Sequence, residues 1–126
     1  MNRFAELLDR LAYEPGRNNK LRLIADYLRN TEDPDRGYAL AALTGTLSFK
    51  NAKAGIVRAL IAERTDPALF ALSYDYVGDL SETVALMWPA DHAQRANRPP
   101  SLSDVVETLS TLGKSQLPAQ IACWLD

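Results

Sequence analysis

Apolar residues recur along this chain at intervals of three and four and nowhere alternate with polar ones, so helices are the only regular structure that can bury them. Phe4, Leu7, Leu8 and Leu11 form a first stripe, closed off by Pro15-Gly16. Leu21, Ile24 and Leu28 form a second, which ends near Asn30-Thr31. Asp33-Pro34 has the pattern of an N-cap followed by proline at the first helical position, where a missing N–H costs nothing. Leu40 and Leu43 continue that third helix to Gly45, a C-terminal glycine. Residues 46–50 read as a loop, and Ile56, Val57, Leu60 and Ile61 mark a fourth helix. Asp66-Pro67 repeats the cap-and-proline start, with Leu69, Leu72 and Tyr76 as the stripe of a fifth helix that Gly78 stops. Asp79 caps a sixth, with Glu82 completing a box-like pair and Leu80, Val84 and Met87 facing inward.

From Trp88 to Pro100 the periodicity breaks, and Pro89, Pro99 and Pro100 bracket a polar stretch, which predicts a long loop or internal joint at 88–100. Two shorter helices are expected around Val105–Leu112 and Pro118–Leu125. The expected fold is all-α, an irregular array of about eight helices in one domain over residues 1–126. The Asp-Pro pairs at 33 and 66 have the spacing of a helical repeat, but their flanking sequences match in little else, so no repeat is expected.

A chain of 126 residues that is 47% hydrophobic can bury a single core without staples. One cysteine, Cys123, excludes an intrachain disulfide framework, and with one histidine, His92, no Cys/His zinc cluster can form. Cys123 lies in an apolar helical stripe and reads as a small buried hydrophobe, while His92 reads as a plain surface residue of the proline-bracketed loop. The first residues, Met1-Asn2-Arg3-Phe4-Ala5-Glu6, are amphipathic and lack the apolar run of a signal peptide. No window approaches the roughly 18 consecutive apolar residues that a membrane span needs. The default expectation is cytoplasmic, with no membrane partner.

The formal net charge of −2 conceals an uneven distribution. Residues 1–65 hold 11 Lys/Arg and 8 Asp/Glu, a net of +3, whereas residues 66–126 hold 3 and 8, a net of −5. Arg17, Lys20 and Arg22 cluster at the start of the second helix, and Lys50, Lys53, Arg58 and Arg64 lie on and before the fourth. Such charges are most often solvated helix faces. Here they flank Thr44-Gly45-Thr46-Leu47-Ser48, whose small residues permit close backbone approach and whose hydroxyls and exposed N–H groups could donate to phosphate. A second donor cluster is expected at Gly78-Asp79-Leu80-Ser81, although a capping Asp79 would occupy the donors an anion needs. The candidate nucleic-acid contacts are therefore Arg17, Lys20, Thr44, Gly45, Thr46, Ser48, Lys50, Lys53, Gly78 and Ser81.

Catalytic signatures are missing. The chain has no phosphate-binding G-x-x-x-x-G-K-[ST], no G-x-G-x-x-G and no G-x-S-x-G. The carboxylate pairs Asp33/Asp35 and Asp75/Asp79 are explained by capping and solvation. Tyr74 and Tyr76 could stack on bases, but at that spacing one belongs to the core and the other to the surface.

Three stretches together resemble the N-terminal DNA-binding domain of ATP-dependent DNA ligases, most nearly a bacterial subgroup. Residues 17–28, Arg17-Asn18-Asn19-Lys20-Leu21-Arg22-Leu23-Ile24-Ala25-Asp26-Tyr27-Leu28, look like that domain's second helix, and Leu43-Thr44-Gly45-Thr46-Leu47 resembles its glycine-containing turn. The run Leu72-Ser73-Tyr74-Asp75-Tyr76-Val77-Gly78-Asp79-Leu80, continuing through Ser81-Glu82-Thr83-Val84-Ala85, is similar to the family's Gly-Asp-Leu-Gly-Glu-Val-Ala region, with Ser81 standing where the family often has glycine. The likeness covers most of residues 3–89.

Such ligases join nicks by adenylating a lysine in a K-x-D-G motif, passing AMP to the 5′-phosphate and displacing it with the 3′-hydroxyl. Lys20, Lys50, Lys53 and Lys114 are followed two residues on by Arg22, Ala52, Gly55 and Gln116, so none has that motif. The resemblance implies a non-catalytic module of a longer ligase that holds nicked duplex DNA through phosphates and the minor groove, without sequence preference. ATP and magnesium, the nucleotidyltransferase domain and the OB-fold domain would belong to that longer protein. The alternative expectation is a helical protein-interaction module using the acidic C-terminal half or the 88–100 segment. A self-contained enzyme is the least favoured.

Overall fold

The computed structural model describes residues 1–89 and 98–126. Among the described residues there are eight α-helices and no strand: α1 (Asn2–Tyr13), α2 (Arg17–Arg29), α3 (Asp35–Leu43), α4 (Ala54–Arg64), α5 (Pro67–Val77), α6 (Leu80–Met87), α7 (Leu102–Thr111) and α8 (Leu117–Leu125). The all-α expectation holds. His92 and most of the 88–100 segment lie outside the described residues.

The chain divides into two compact units, Met1–Ser48 with Arg98–Thr108, and Phe49–Asn97 with Leu109–Asp126. In the first, Phe4 and Leu7 of α1, Tyr27 of α2, Ala39 of α3, and Leu102 and Val106 of α7 are buried. The Phe4 and Tyr27 rings lie 5.9 Å apart and tilted, which joins α1 to α2. Arg3 spans both helices, with its guanidinium over the Tyr27 ring at 5.9 Å and Nη1 donating to the Asn30 carbonyl at 3.0 Å. A cation there satisfies a carbonyl at the negative end of α2.

The second unit is built around Leu60 and Ile61 of α4, Thr83 and Val84 of α6, and Leu117 and Ala122 of α8. Thr83 is fully buried, and its hydroxyl donates to the Asp79 carbonyl at 2.6 Å, so its burial leaves no polar atom unsatisfied. Arg64 lies over the Trp88 ring at 4.6 Å and donates to the Leu60 carbonyl at 3.0 Å, while Trp88 Nε1 donates to Asp126 at 3.0 Å.

Local chemistry explains several helix ends. Asp66 caps α5, its carboxylate accepting from the amides of Ala68 (2.8 Å) and Leu69 (3.3 Å), and Asp79 caps α6 by accepting from Glu82 N at 2.8 Å. Gly45 and Gly78 have φ of +72° and +80°, the left-handed conformation in which glycine ends a helix without a Cβ clash.

Three expectations need correction. Asp33 does not cap α3: the helix begins at Asp35 after Pro34, and the Asp33 carboxylate instead pairs with Arg36 at 2.7 Å. The seventh helix begins earlier than periodicity suggests, because Ser101 and Asp104 form a reciprocal capping box. Ser101 Oγ accepts from Asp104 N and Asp104 Oδ2 accepts from Ser101 N, each at 3.0 Å. Cys123 is exposed, since Ala122 occupies the inward position of α8 and the next residue is turned about 100° away.

Candidate nucleic-acid interface

The ten expected contact residues fall into two groups: Arg17, Lys20, Thr44, Gly45, Thr46 and Ser48 in the first unit, and Lys50, Lys53, Gly78 and Ser81 in the second.

Arg17 and Lys20 occupy the first turn of α2 and are exposed. That turn has no acidic residue, and its N-cap, Gly16, offers no side-chain cap. Glu14 turns to its own neighbours, accepting from Gly16 N at 2.9 Å and Asn19 Nδ2 at 3.4 Å. Cations at a helix N-terminus add to the roughly half positive charge of the dipole, a locally unfavourable arrangement that an anion would relieve. Among the described residues neither Arg17 nor Lys20 forms an ion pair.

The start of α4 repeats the arrangement. Its N-cap is Lys53, with no side-chain cap and no acid in the first turn, and Lys50 precedes it by three residues. Both lysines are exposed and, among the described residues, outside any ion pair. The helix opens on Ala54-Gly55, and a Cβ added at Gly55 would meet nothing within 4 Å, so the backbone is open to close approach. Gly55 is not among the ten expected contacts. The signal available was two lysines and two small residues with no Ser, Thr, Asp or Asn at the cap.

Arg58 and Arg64, grouped with these lysines by sequence, are committed elsewhere. Arg58 lies over the Tyr74 ring at 5.1 Å and Arg64 over Trp88. Tyr74 also stacks on Phe70 with centroids 6.2 Å apart but is only half-buried, and Tyr76 is 93% exposed, so neither tyrosine belongs to the core, contrary to the expectation for one of them.

The Thr-Gly-Thr turn differs from its expected chemistry. Thr46 N donates to Ala41 O at 2.9 Å and Gly45 N to Ala42 O at 3.2 Å, the paired bonds of a Schellman ending. Thr44 N and Leu47 N are also bonded within the turn, to Leu40 O and Ala41 O. The Thr44 hydroxyl donates to Leu40 O at 2.8 Å, and Thr46 Oγ1 lies 3.2 Å from Ala41 O. The expected free amide donors are thus directed back to the carbonyls of α3, which a helix C-terminus must satisfy. At Gly78–Ser81 the Asp79 carboxylate holds the α6 N-terminus, with Glu82 in the same turn.

Among the described residues no group of three or more His, Cys, Asp or Glu side chains could hold a metal ion. No described helix is long and apolar enough to cross a membrane. No protein-family model, curated protein or solved structure matches the chain.

Proposed function

We propose that this chain binds nicked duplex DNA through its phosphates, without sequence preference, as the non-catalytic N-terminal module of an ATP-dependent DNA ligase. The observation that carries the reading is the pair of open, cation-bearing helix starts at α2 and α4, in contrast to the aspartate-capped α5 and α6. Uncapped amides, a positive dipole end and two unpaired cations form the general chemistry of phosphate recognition. Arg17, Lys20, Lys50 and Lys53 supply the attraction. Thr44, Gly45, Thr46, Ser48, Gly78 and Ser81 belong to the proposal as small residues that allow close backbone approach rather than as amide donors.

Backbone contact suits this role, because an enzyme that seals nicks in any sequence gains nothing from reading base edges. The resemblance at residues 17–28, 43–47 and 72–85 supplies the ligase assignment. ATP, magnesium, the nucleotidyltransferase and OB-fold domains, a role in DNA repair and a cytoplasmic location accompany it as parts of the same proposal.

The test is anisotropy of labelled nicked and unrelated-sequence duplexes titrated with the full chain across a salt series. Each neutralised phosphate contributes about −0.9 to the slope of log K against log salt, so Lys50→Gln with Lys53→Gln should flatten it by about 2. Arg17→Gln with Lys20→Gln should act similarly. Binding that ignores salt, or that both pairs leave unchanged, would overturn the reading.

A further inference from the structure

The fifth helix buries none of its side chains, although its sequence is PALFALSYDYV. Leu69, Leu72 and Tyr76, spaced to share one face, are 56%, 69% and 93% exposed, and Leu86 of α6 is 71% exposed. Leu72, Tyr76, Val77, Leu86 and Met87 line a groove of about 460 Å³ along the α5–α6 pair. An apolar face of this kind on a helix pair marks a surface built to be covered.

The charge around it identifies the cover. Residues 66–89 contain Asp66, Asp75, Asp79 and Glu82 and no lysine or arginine. Asp75 lies three positions from Leu72 and Glu82 four from Leu86, so each carboxylate is a surface neighbour of an exposed leucine. We propose that the α5–α6 groove is a docking site for a basic amphipathic helix of a partner protein. The partner's apolar anchors at i, i+3, i+4 and i+7 enter the groove, and its lysines or arginines meet Asp75, Asp79 and Glu82.

The other covers fit less well. An anionic membrane is repelled by four carboxylates, and the phosphates of nucleic acid offer the exposed leucines nothing apolar to pack against. A symmetric contact with a second copy brings two acidic patches together with no lysine or arginine of residues 66–89 to pair them, because a two-fold interface joins the same patch on each copy. The inference uses no residue of the phosphate-binding proposal and stands apart from it.

The experiment titrates the full chain against a fluorescein-labelled helical peptide of leucine and lysine, with leucines at i, i+3, i+4 and i+7. A peptide with glutamate replacing every lysine is the control. The Leu/Lys peptide should bind saturably and the Leu/Glu peptide should not. Leu72→Gln with Leu86→Gln should weaken binding about tenfold or more, since anchors dominate such interfaces. Asp75→Lys with Glu82→Lys should weaken it comparably, and because these four positions are on the surface, circular dichroism should show every variant folded.

Equal binding of both peptides, indifference to the leucine variants, or absence of saturable binding would overturn the assignment. So would a dimer in sedimentation that Leu72→Gln with Leu86→Gln dissolves, which gives the face to a second copy. Vesicle binding that the same variants abolish would give it to a membrane. The DNA titration of the leucine variants should match the parent chain, so failure here and failure of the phosphate reading remain distinguishable.

Discussion

Asp35 Oδ1 accepts a hydrogen bond from the amide of Ser103 at 2.9 Å, so the first residue of α3 closes an open donor in the first turn of α7. The residues are 68 apart in sequence, and one carboxylate serves two helix starts, its own by position and the other by contact. Asp35→Ala should lower unfolding free energy by about 1 kcal/mol, as loss of a side-chain cap does. Asp35→Asn, which keeps an acceptor oxygen, should recover most of it in a urea titration.

Two other carboxylates give the chain an acid sensitivity. The Arg36 side chain, by hydrogen bond first, holds Asp33 below the usual aspartate range, and the Ser101 amide, then its hydroxyl, does the same for Asp104. A depressed folded pKa means that the unfolded chain binds more protons, so stability rises with pH. Both contributions are present above the ordinary aspartate value and are lost as pH falls through the folded values, a window below about pH 4. Melting temperatures taken across that window should fall less steeply in Asp33→Asn with Asp104→Asn than in the parent chain.

The cores predict unequal responses to truncation. Ile61 is fully buried, and Ile61→Ala should cost about 2–5 kcal/mol through lost burial and the cavity left behind. Leu69→Ala, on the open face of α5, should change stability by no more than about 0.5 kcal/mol. Chemical denaturation of both variants checks the contrast. Equal losses would mean that the α5 face is buried in solution.

Gly45 and Gly78 isolate backbone strain from packing, since a Cβ at either meets nothing within 4 Å. Replacement by alanine should nonetheless cost each about 1–2 kcal/mol, because the positive φ brings Cβ toward the neighbouring carbonyl. Gly113→Ala, where φ is not positive and space is equally open, is the control and should be neutral or slightly stabilising.

How far the primary structure could be read depended on the range of the interaction involved. The caps at Asp66 and Asp79 and the stops at Gly45 and Gly78 were all visible, because each bond joins residues within five positions. The Ser101/Asp104 box is equally local, but apolar spacing alone points to a start near Val105 and capping chemistry to one near Leu102. Arg58 and Arg64 looked like free cations until Tyr74 and Trp88 came beneath them. The hydroxyls of Thr44 and Thr46 looked free until the carbonyl end of α3 claimed them.

Helix identity and the capped helix ends follow from the order of residues, since an α-helix is closed by bonds four residues apart and those ends by groups one turn away. Which stripe is buried depends on a second surface. Leu69, Leu72 and Tyr76 have the same periodicity as Phe4, Leu7 and Leu11, yet Phe4 and Leu7 are buried and the α5 residues are open. The same dependence leaves Arg17, Lys20, Lys50 and Lys53 exposed and, among the described residues, outside any ion pair, while Arg58 and Arg64 are taken up by rings. Burial and pairing are non-local, and only the packed helices assign them.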